Sequence, residues 1–215
     1  MKYVLLALYL LDAGLHMYAC TPPEKHSLRR VSKCLLMPLL VCCYCLAAQQ
    51  PSAIVILALV FGFFGDVFLI VPEKSWLFVS GLIAFAVGHA CYIAALLQRV
   101  HTLPAPWVMV VATAVLILGM IGMMKRLWPR LPKNMFLPCL AYMGIISAMS
   151  LCALIYALQA NTPGGWFAFA GSLLFIISDS VLSYVTFVRR IPYRYAVVMS
   201  TYILAQTLLM VSFLY

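Results

Sequence analysis

Charge is what this sequence has least of. Asp, Glu, Lys and Arg make up 9% of its 215 residues, and only five are acidic. No soluble domain of this length carries so little charge against 66% hydrophobic residues. Cysteines at metal or disulfide spacing are missing too. Cys42, Cys43 and Cys45 crowd into one apolar segment, where a thiol acts as a small hydrophobe, so neither a zinc site nor a disulfide framework is expected. Strict polar/apolar alternation is missing, which argues against a β-barrel. The opening stretch, MKYVLLALYLLDAGLHMYA, has a thin basic start, no A-x-A-type cleavage site, and an Asp and a His interrupting its core. It reads as a transmembrane helix that stays rather than a signal peptide. A basic surface patch is missing as well. The net charge is +9, but nearly all basic residues lie in short segments beside apolar runs, which argues against a nucleic-acid partner.

What remains is a series of long apolar stretches. Charged, Pro and Gly clusters divide the chain into eight spans near 2–20, 34–50, 52–70, 75–98, 104–124, 135–158, 166–188 and 195–215. Each is within reach of a bilayer. The expected fold is all-α: a polytopic membrane protein of eight transmembrane helices, forming one unit over 1–215 with short loops. Loops 1, 3, 5 and 7 carry Lys25, Arg29, Arg30, Lys33, Lys74, Lys125, Arg126, Arg130, Lys133, Arg189, Arg190 and Arg194. The other side has Lys2 and Arg99, so twelve of the fourteen basic residues share one face. The positive-inside rule places that face in the cytoplasm and both termini outside, in a cell membrane of bacterial inner-membrane type.

Short internal matches suggest two parallel four-helix halves. Lys33–Pro38 (KCLLMP) opens the second span and Lys133–Pro138 (KNMFLP) the sixth. Gly-Asp-x-x-Leu in the third span is answered by Ser-Asp-x-x-Leu in the seventh. Each pair lies four helices apart, so the orientations match.

Two carboxylates stand where they are costly. Asp66 lies in FGFFGDVFLI and Asp179 in FIISDSVLSY, roughly 8 Å and 14 Å from the cytoplasmic ends of their spans at 1.5 Å per residue. A lone ionised carboxylate there costs about 2.5–3.5 kcal/mol, so each must face the bundle interior, be paired or be protonated. Gly62 and Gly65 thin the face around Asp66, and Ser178 and Ser183 flank Asp179. Such a pair can form a coupled dyad sharing a proton, or each member can be a packing residue held by hydrogen bonds. Further polar residues share helix faces: His89 with Tyr92 at i, i+3, and Tyr202 with Gln206 at i, i+4. Asp12 and His16, also at i, i+4, are expected to satisfy each other. Trp76, Trp107, Trp128 and Trp166 lie near span ends and read as interface anchors. The loop arginines set topology and could also hold the phosphate of a membrane lipid.

Four segments, FGFFGDVFL, GLIAFAVGHACYI, LLFIISDSVL and STYILAQTLL, together resemble the YhhN family of lysoplasmalogenase-like membrane proteins, from Lys33 to Gln206. The resemblance implies an eight-helix fold and hydrolysis of the vinyl ether bond of a lysophospholipid, the lysoplasmalogen. The products would be a fatty aldehyde and glycerophosphoethanolamine or glycerophosphocholine. It makes Asp66, Asp179 and His89 the catalytic candidates. Tyr92, Tyr202 and Gln206 are expected around the substrate, with Lys33 and Ser178. Asp12 is not carried over. Vinyl ether hydrolysis begins with protonation of the alkenyl carbon remote from oxygen and passes through an oxocarbenium ion. One carboxylic acid and one carboxylate suit that chemistry, as they do in glycosidases. No metal or cofactor is required, although Asp66, Asp179 and His89 could ligate a metal. The same carboxylates would also suit a proton-coupled transporter, but no span has the Gly/Pro-broken centre typical of midplane transport sites. A non-catalytic lipid-binding or scaffold protein is the third reading.

Overall fold

The computed structural model describes residues 2–21, 25–70, 74–189 and 191–215. Arg190, counted above with the basic loops, lies outside them. The described residues form eight helices and no strands. They are α1 (Lys2–Cys20), α2 (His26–Ala47), α3 (Ala53–Phe68), α4 (Ser75–Leu97), α5 (Pro106–Leu127), α6 (Lys133–Ala160), α7 (Pro163–Phe187) and α8 (Arg194–Ser212). Seven are long and apolar enough to cross a membrane, and α3 is shorter at 16 residues. The chain is a multi-pass helical membrane protein.

One boundary differs materially from expectation. α2 begins at His26, not near residue 34, so Arg29, Arg30 and Lys33 are helical rather than loop residues. A helix need not stop where the hydrocarbon ends, because long basic side chains reach back to water from an extra turn or two. Pro38 therefore sits in the interior of α2 instead of opening it, whereas Pro138 lies near the start of α6.

Seven helices close into a ring. α1 packs on α2, α2 on α3, α3 on α4, α4 on α6, α6 on α7 and α7 on α8, and α8 returns to α1 and α2. α5 stands outside the ring against α6 and α7, and only Met124 and Leu127 near its C-terminal end are buried. α1 and α5 are thus packed differently, since α1 closes the ring and α5 does not. Close approach sets the tightest contacts. A Cβ on Gly171 of α7 would lie 2.9 Å from the Ala205 carbonyl oxygen of α8, and one on Gly65 of α3 would lie 2.6 Å from the Phe85 ring of α4.

Arg99, an exception to the basic-loop pattern, has a structural duty. Its guanidinium donates to the carbonyls of Ser212 and Phe213, both at 3.2 Å, where α8 ends. A cation suits the carbonyl end of a helix. The four Trp side chains near span ends are all exposed.

Candidate functional site

The ring encloses a cavity of about 380 Å³ near the ends of α2, α4, α7 and α8 that adjoin the basic loops. Asp66, Asp179, Lys33, Ser178 and Tyr202 all line it, along with Arg29 and Arg194. The two carboxylates share this wall but keep different company.

Asp66 is 2% exposed. Its Oδ1 lies 3.4 Å from the Lys33 ammonium, and its Oδ2 accepts a hydrogen bond from the Tyr202 hydroxyl at 2.7 Å. Among the described residues this is the one ion pair within 4 Å. The earlier start of α2 makes it possible, because Lys33 is carried on a rigid helix and not on a loop. Tyr202 belongs to a second layer of polar contacts, in which Tyr92 donates to Gln206 Oε1 at 2.9 Å. Tyr92 and Gln206 lie behind the cavity wall rather than on it, and a Cβ on Gly62 would meet the Gln206 amide at 3.1 Å. They hold Tyr202 and α3 in place instead of facing the open space.

Asp179 is half-buried, and among the described residues no ammonium or guanidinium lies within ion-pair distance of it. Its Oδ2 accepts a hydrogen bond from the hydroxyl of Tyr142 on α6. The Tyr142 oxygen lies 3.2 Å from His89 Nε2, and His89 Nδ1 lies 3.2 Å from Met149 Sδ. His89 is fully buried, packed edge-on against Phe175 with centroids 4.4 Å apart. It does not line the cavity, and it reaches Asp179 only through Tyr142. Among the described residues no three His, Cys, Asp or Glu side chains converge as metal ligands would. Ser178 lines the cavity with its hydroxyl engaged, donating to the Val198 carbonyl at 3.0 Å. That bond ties α7 to α8 beside Asp179. Phe85, Phe175 and Tyr202 pack edge to face with one another.

At the cavity mouth the Arg29 guanidinium lies 3.8 Å from the Tyr195 ring centroid, and that of Arg194 lies 4.5 Å from the same ring. Arg29 Nε has no hydrogen-bond partner although it is buried. Arg194 also donates to the Tyr195 hydroxyl at 3.2 Å, so two guanidiniums meet at one aromatic ring and concentrate positive charge there. Tyr193, with φ of 56°, turns the chain into α8 and delivers Arg194 and Tyr195 to this position.

The Asp12–His16 expectation is corrected. His16 Nδ1 bonds the Ser32 hydroxyl of α2 at 2.7 Å, and the Cys20 thiol lies 3.5 Å from Nε2. The Ser32 hydroxyl donates to the Leu28 carbonyl at 2.8 Å, so the imidazole Nδ1 is the donor to Ser32. A neighbouring helix thus outcompetes the i−4 carboxylate, and Asp12 Oδ2 is left without a partner.

Buried acid, hydroxyl and imidazole groups inside a helical ring, with basic residues at its mouth, define a polytopic membrane protein with an internal polar site. The profile of the YhhN family matches residues 28–213, and the chain belongs to that family. Among its relatives, a lysoplasmalogenase of Mycobacterium bovis is 34% identical over 119 residues, covering 55% of this chain and 44% of that protein. Lysoplasmalogenase TMEM86A of Bos taurus is 32% identical over 167 residues, covering 76% and 66%. Lysoplasmalogenase TMEM86B of Homo sapiens is 34% identical over 164 residues, covering 72% and 61%. The chain therefore spans between 44% and 66% of the length of these curated relatives. No solved structure matches it.

Proposed function

We propose that this protein is a membrane-embedded hydrolase that cleaves the vinyl ether bond of a lysoplasmalogen. The observation that carries the reading is the unequal company of Asp66 and Asp179 on one cavity wall. Asp66, paired with Lys33 and Tyr202, serves as the carboxylate. Asp179, without a cation and bonded by Tyr142, serves as the acid. The names and matched segments of the relatives support the same substrate class.

The reaction then runs in order. Asp179 gives its proton to the alkenyl carbon remote from the ether oxygen, leaving an oxocarbenium ion and a carboxylate. Asp66 stabilises the cation by its charge. Water adds to the cationic carbon and loses a proton to the Asp179 carboxylate, which restores the acid. The hemiacetal collapses to a fatty aldehyde and the glycerophospho-alcohol. Tyr142 holds Asp179 through Oδ2, so Oδ1 remains available for the substrate. His89 acts at one remove, orienting the Tyr142 hydroxyl. Arg29 and Arg194 hold the head-group phosphate at the mouth of the cavity.

The test is direct. Purified protein in detergent, given lysoplasmalogen, releases aldehyde with the matching glycerophospho-alcohol. No aldehyde above a no-protein control, from protein that elutes as a single folded species, overturns the reading.

A further inference from the structure

Asp179 faces a second space as well. A cavity of about 190 Å³ lies between α5, α6 and α7. Gly119, Met120 and Met123 of α5, Met143 and Ile146 of α6, and Ile176 of α7 supply its apolar lining. Tyr142 and Asp179 stand at its edge. The two cavities share one lining residue, Asp179. They differ in charge: the first holds Arg29, Lys33 and Arg194, while among the described residues no cation lines the second, whose polar groups besides Tyr142 and Asp179 are the hydroxyls of Ser147, Ser180 and Ser183.

α5 makes this slot possible. It stands outside the ring and is buried only at Met124 and Leu127, so the space beside Gly119 is open, with no atom within 4 Å of where a Cβ would be. Three Met side chains, Met120, Met123 and Met143, line the slot, and their flexible thioethers adapt to an irregular apolar guest.

We propose that the slot beneath α5 takes the hydrocarbon chain of the lysophospholipid, so that the bond between chain and head group passes Asp179. The proposal rests on the hydrolase reading for its substrate class. A single-chain phospholipid has one anionic end and one apolar end, and a vinyl ether joins them at the first carbons of the chain. An acid that protonates a chain carbon must stand where an apolar slot meets a polar cavity. Asp179 has that position; Asp66 lines the polar cavity alone. The slot thus selects Asp179 as the proton donor by placement, independently of the Lys33 pairing. It also makes Gly119 a specificity-determining position.

The experiment uses a lysophosphoethanolamine with an uncleavable alkyl ether and a diazirine in mid-chain, irradiated with the full chain in detergent. Adducts are mapped by mass spectrometry with and without excess unlabelled alkyl lysophosphoethanolamine. We expect saturable labelling of Met123, Met143 or Ile176, which the competitor lowers at least tenfold. Gly119→Trp fills the slot and lowers that labelling by a similar factor. Gly122→Trp, on the same helix and equally open but off the slot, leaves it intact. Labelling that is unsaturable, lies elsewhere, or survives Gly119→Trp in a protein that elutes like wild type overturns the slot. If both Trp variants fail to fold, competition on the wild type alone decides. Because the probe is not cleaved, the two readings fail separately. Saturable labelling without aldehyde release from lysoplasmalogen refutes the hydrolase, and aldehyde release without slot labelling refutes the slot.

Discussion

Replacing Lys33 by Met should harm this protein more than replacing its partner Asp66 by Asn, and the difference can be worked from the geometry. The ammonium and carboxylate are 3.4 Å apart; at an effective dielectric of about 20, unit charges at that distance attract by about 5 kcal/mol. Desolvation offsets much of this in the intact pair, whereas breaking a buried pair costs about 3–5 kcal/mol because one charge is left alone. The two ends are not equally stranded. Lys33 is 14% exposed and lines the cavity, so without Asp66 its flexible stem can carry the ammonium towards water. Asp66 is 2% exposed on a rigid helix and cannot move. Lys33→Met should therefore cost about 3 kcal/mol, near the lower bound for a broken buried pair, and Asp66→Asn about 1 kcal/mol, the scale of one lost hydrogen-bond partner. The double variant should resemble Asp66→Asn alone, giving a coupling energy of about 3 kcal/mol, at the upper end of the range for residues in contact. A proton taken up by Asp66 would relieve part of the cost but remove the carboxylate, so aldehyde release falls either way. Unfolding of the four proteins in mixed detergent micelles, followed by circular dichroism, measures the cycle. A Lys33→Met protein within about 0.5 kcal/mol of wild type, or strictly additive effects, would refute the pairing argument.

Asp179→Asn keeps size and hydrogen bonding but has no proton to give; turnover should fall at least ~10²-fold in a folded protein, and the Asp66→Asn/Asp179→Asn double should be little worse than either single. Aldehyde release near the wild-type rate would sink the acid assignment. Tyr142→Phe removes the hydroxyl that joins Asp179 to His89, so it should cost about 1–3 kcal/mol in stability and lower turnover, most visibly in kcat, because the half-buried Asp179 and the buried His89 lose one bond each; unchanged kcat and stability would show the contact to be idle. For orientation, reporters fused at the C-terminus should be active only when extracytoplasmic types are used, as the basic-loop face predicts; activity of a cytoplasmic type alone would reverse the topology.

The sequence exposes what is costly and hides what is ordinary. Asp66 and Asp179 could be found because a carboxylate in an apolar run demands a reason, and the same holds for His89 in GHACY. Tyr142 gave no such signal. It is one of twelve tyrosines, sits in a plain apolar stretch, and matters only because α6 brings its hydroxyl between two residues far away in the chain. Arg29 and Arg194 could be read as topology determinants, but their meeting on Tyr195 depends on α8 closing the ring against α2. The early start of α2 was obscured by the charge that makes it useful, since Arg29, Arg30 and Lys33 look like a loop to any rule that ends a span at its first cation. The position of α5 did leave a trace. From Val108 to Met124 its one hydroxyl or charged side chain is Thr113, so it has little that must be turned inward and can face lipid on most sides.

Two nearly matching motifs thus end in different surroundings, and the difference lies in neighbours rather than in the motifs. On α3 the carboxylate follows Gly65, whose bare Cα lets Phe85 of α4 close over it, and Lys33 and Tyr202 claim both its oxygens. On α7 the carboxylate follows Ser178, whose hydroxyl is spent on the Val198 carbonyl, and Asp179 is left with one tyrosine and an open side. A repeat would otherwise make two equal carboxylates, and equal carboxylates in one cavity share a proton between them. The lysine breaks that symmetry by giving one member a fixed counter-ion, and the outward placement of α5 breaks it again by opening a slot beside the other. Moving the lysine should therefore move the roles. In a Lys33→Met background, a basic residue introduced at Val198, which lines the cavity near Asp179, should pair with Asp179 and fail to restore turnover even if it restores stability. Recovery of aldehyde release in Lys33→Met/Val198→Lys would mean that the two carboxylates are interchangeable and that the asymmetry has no part in the chemistry.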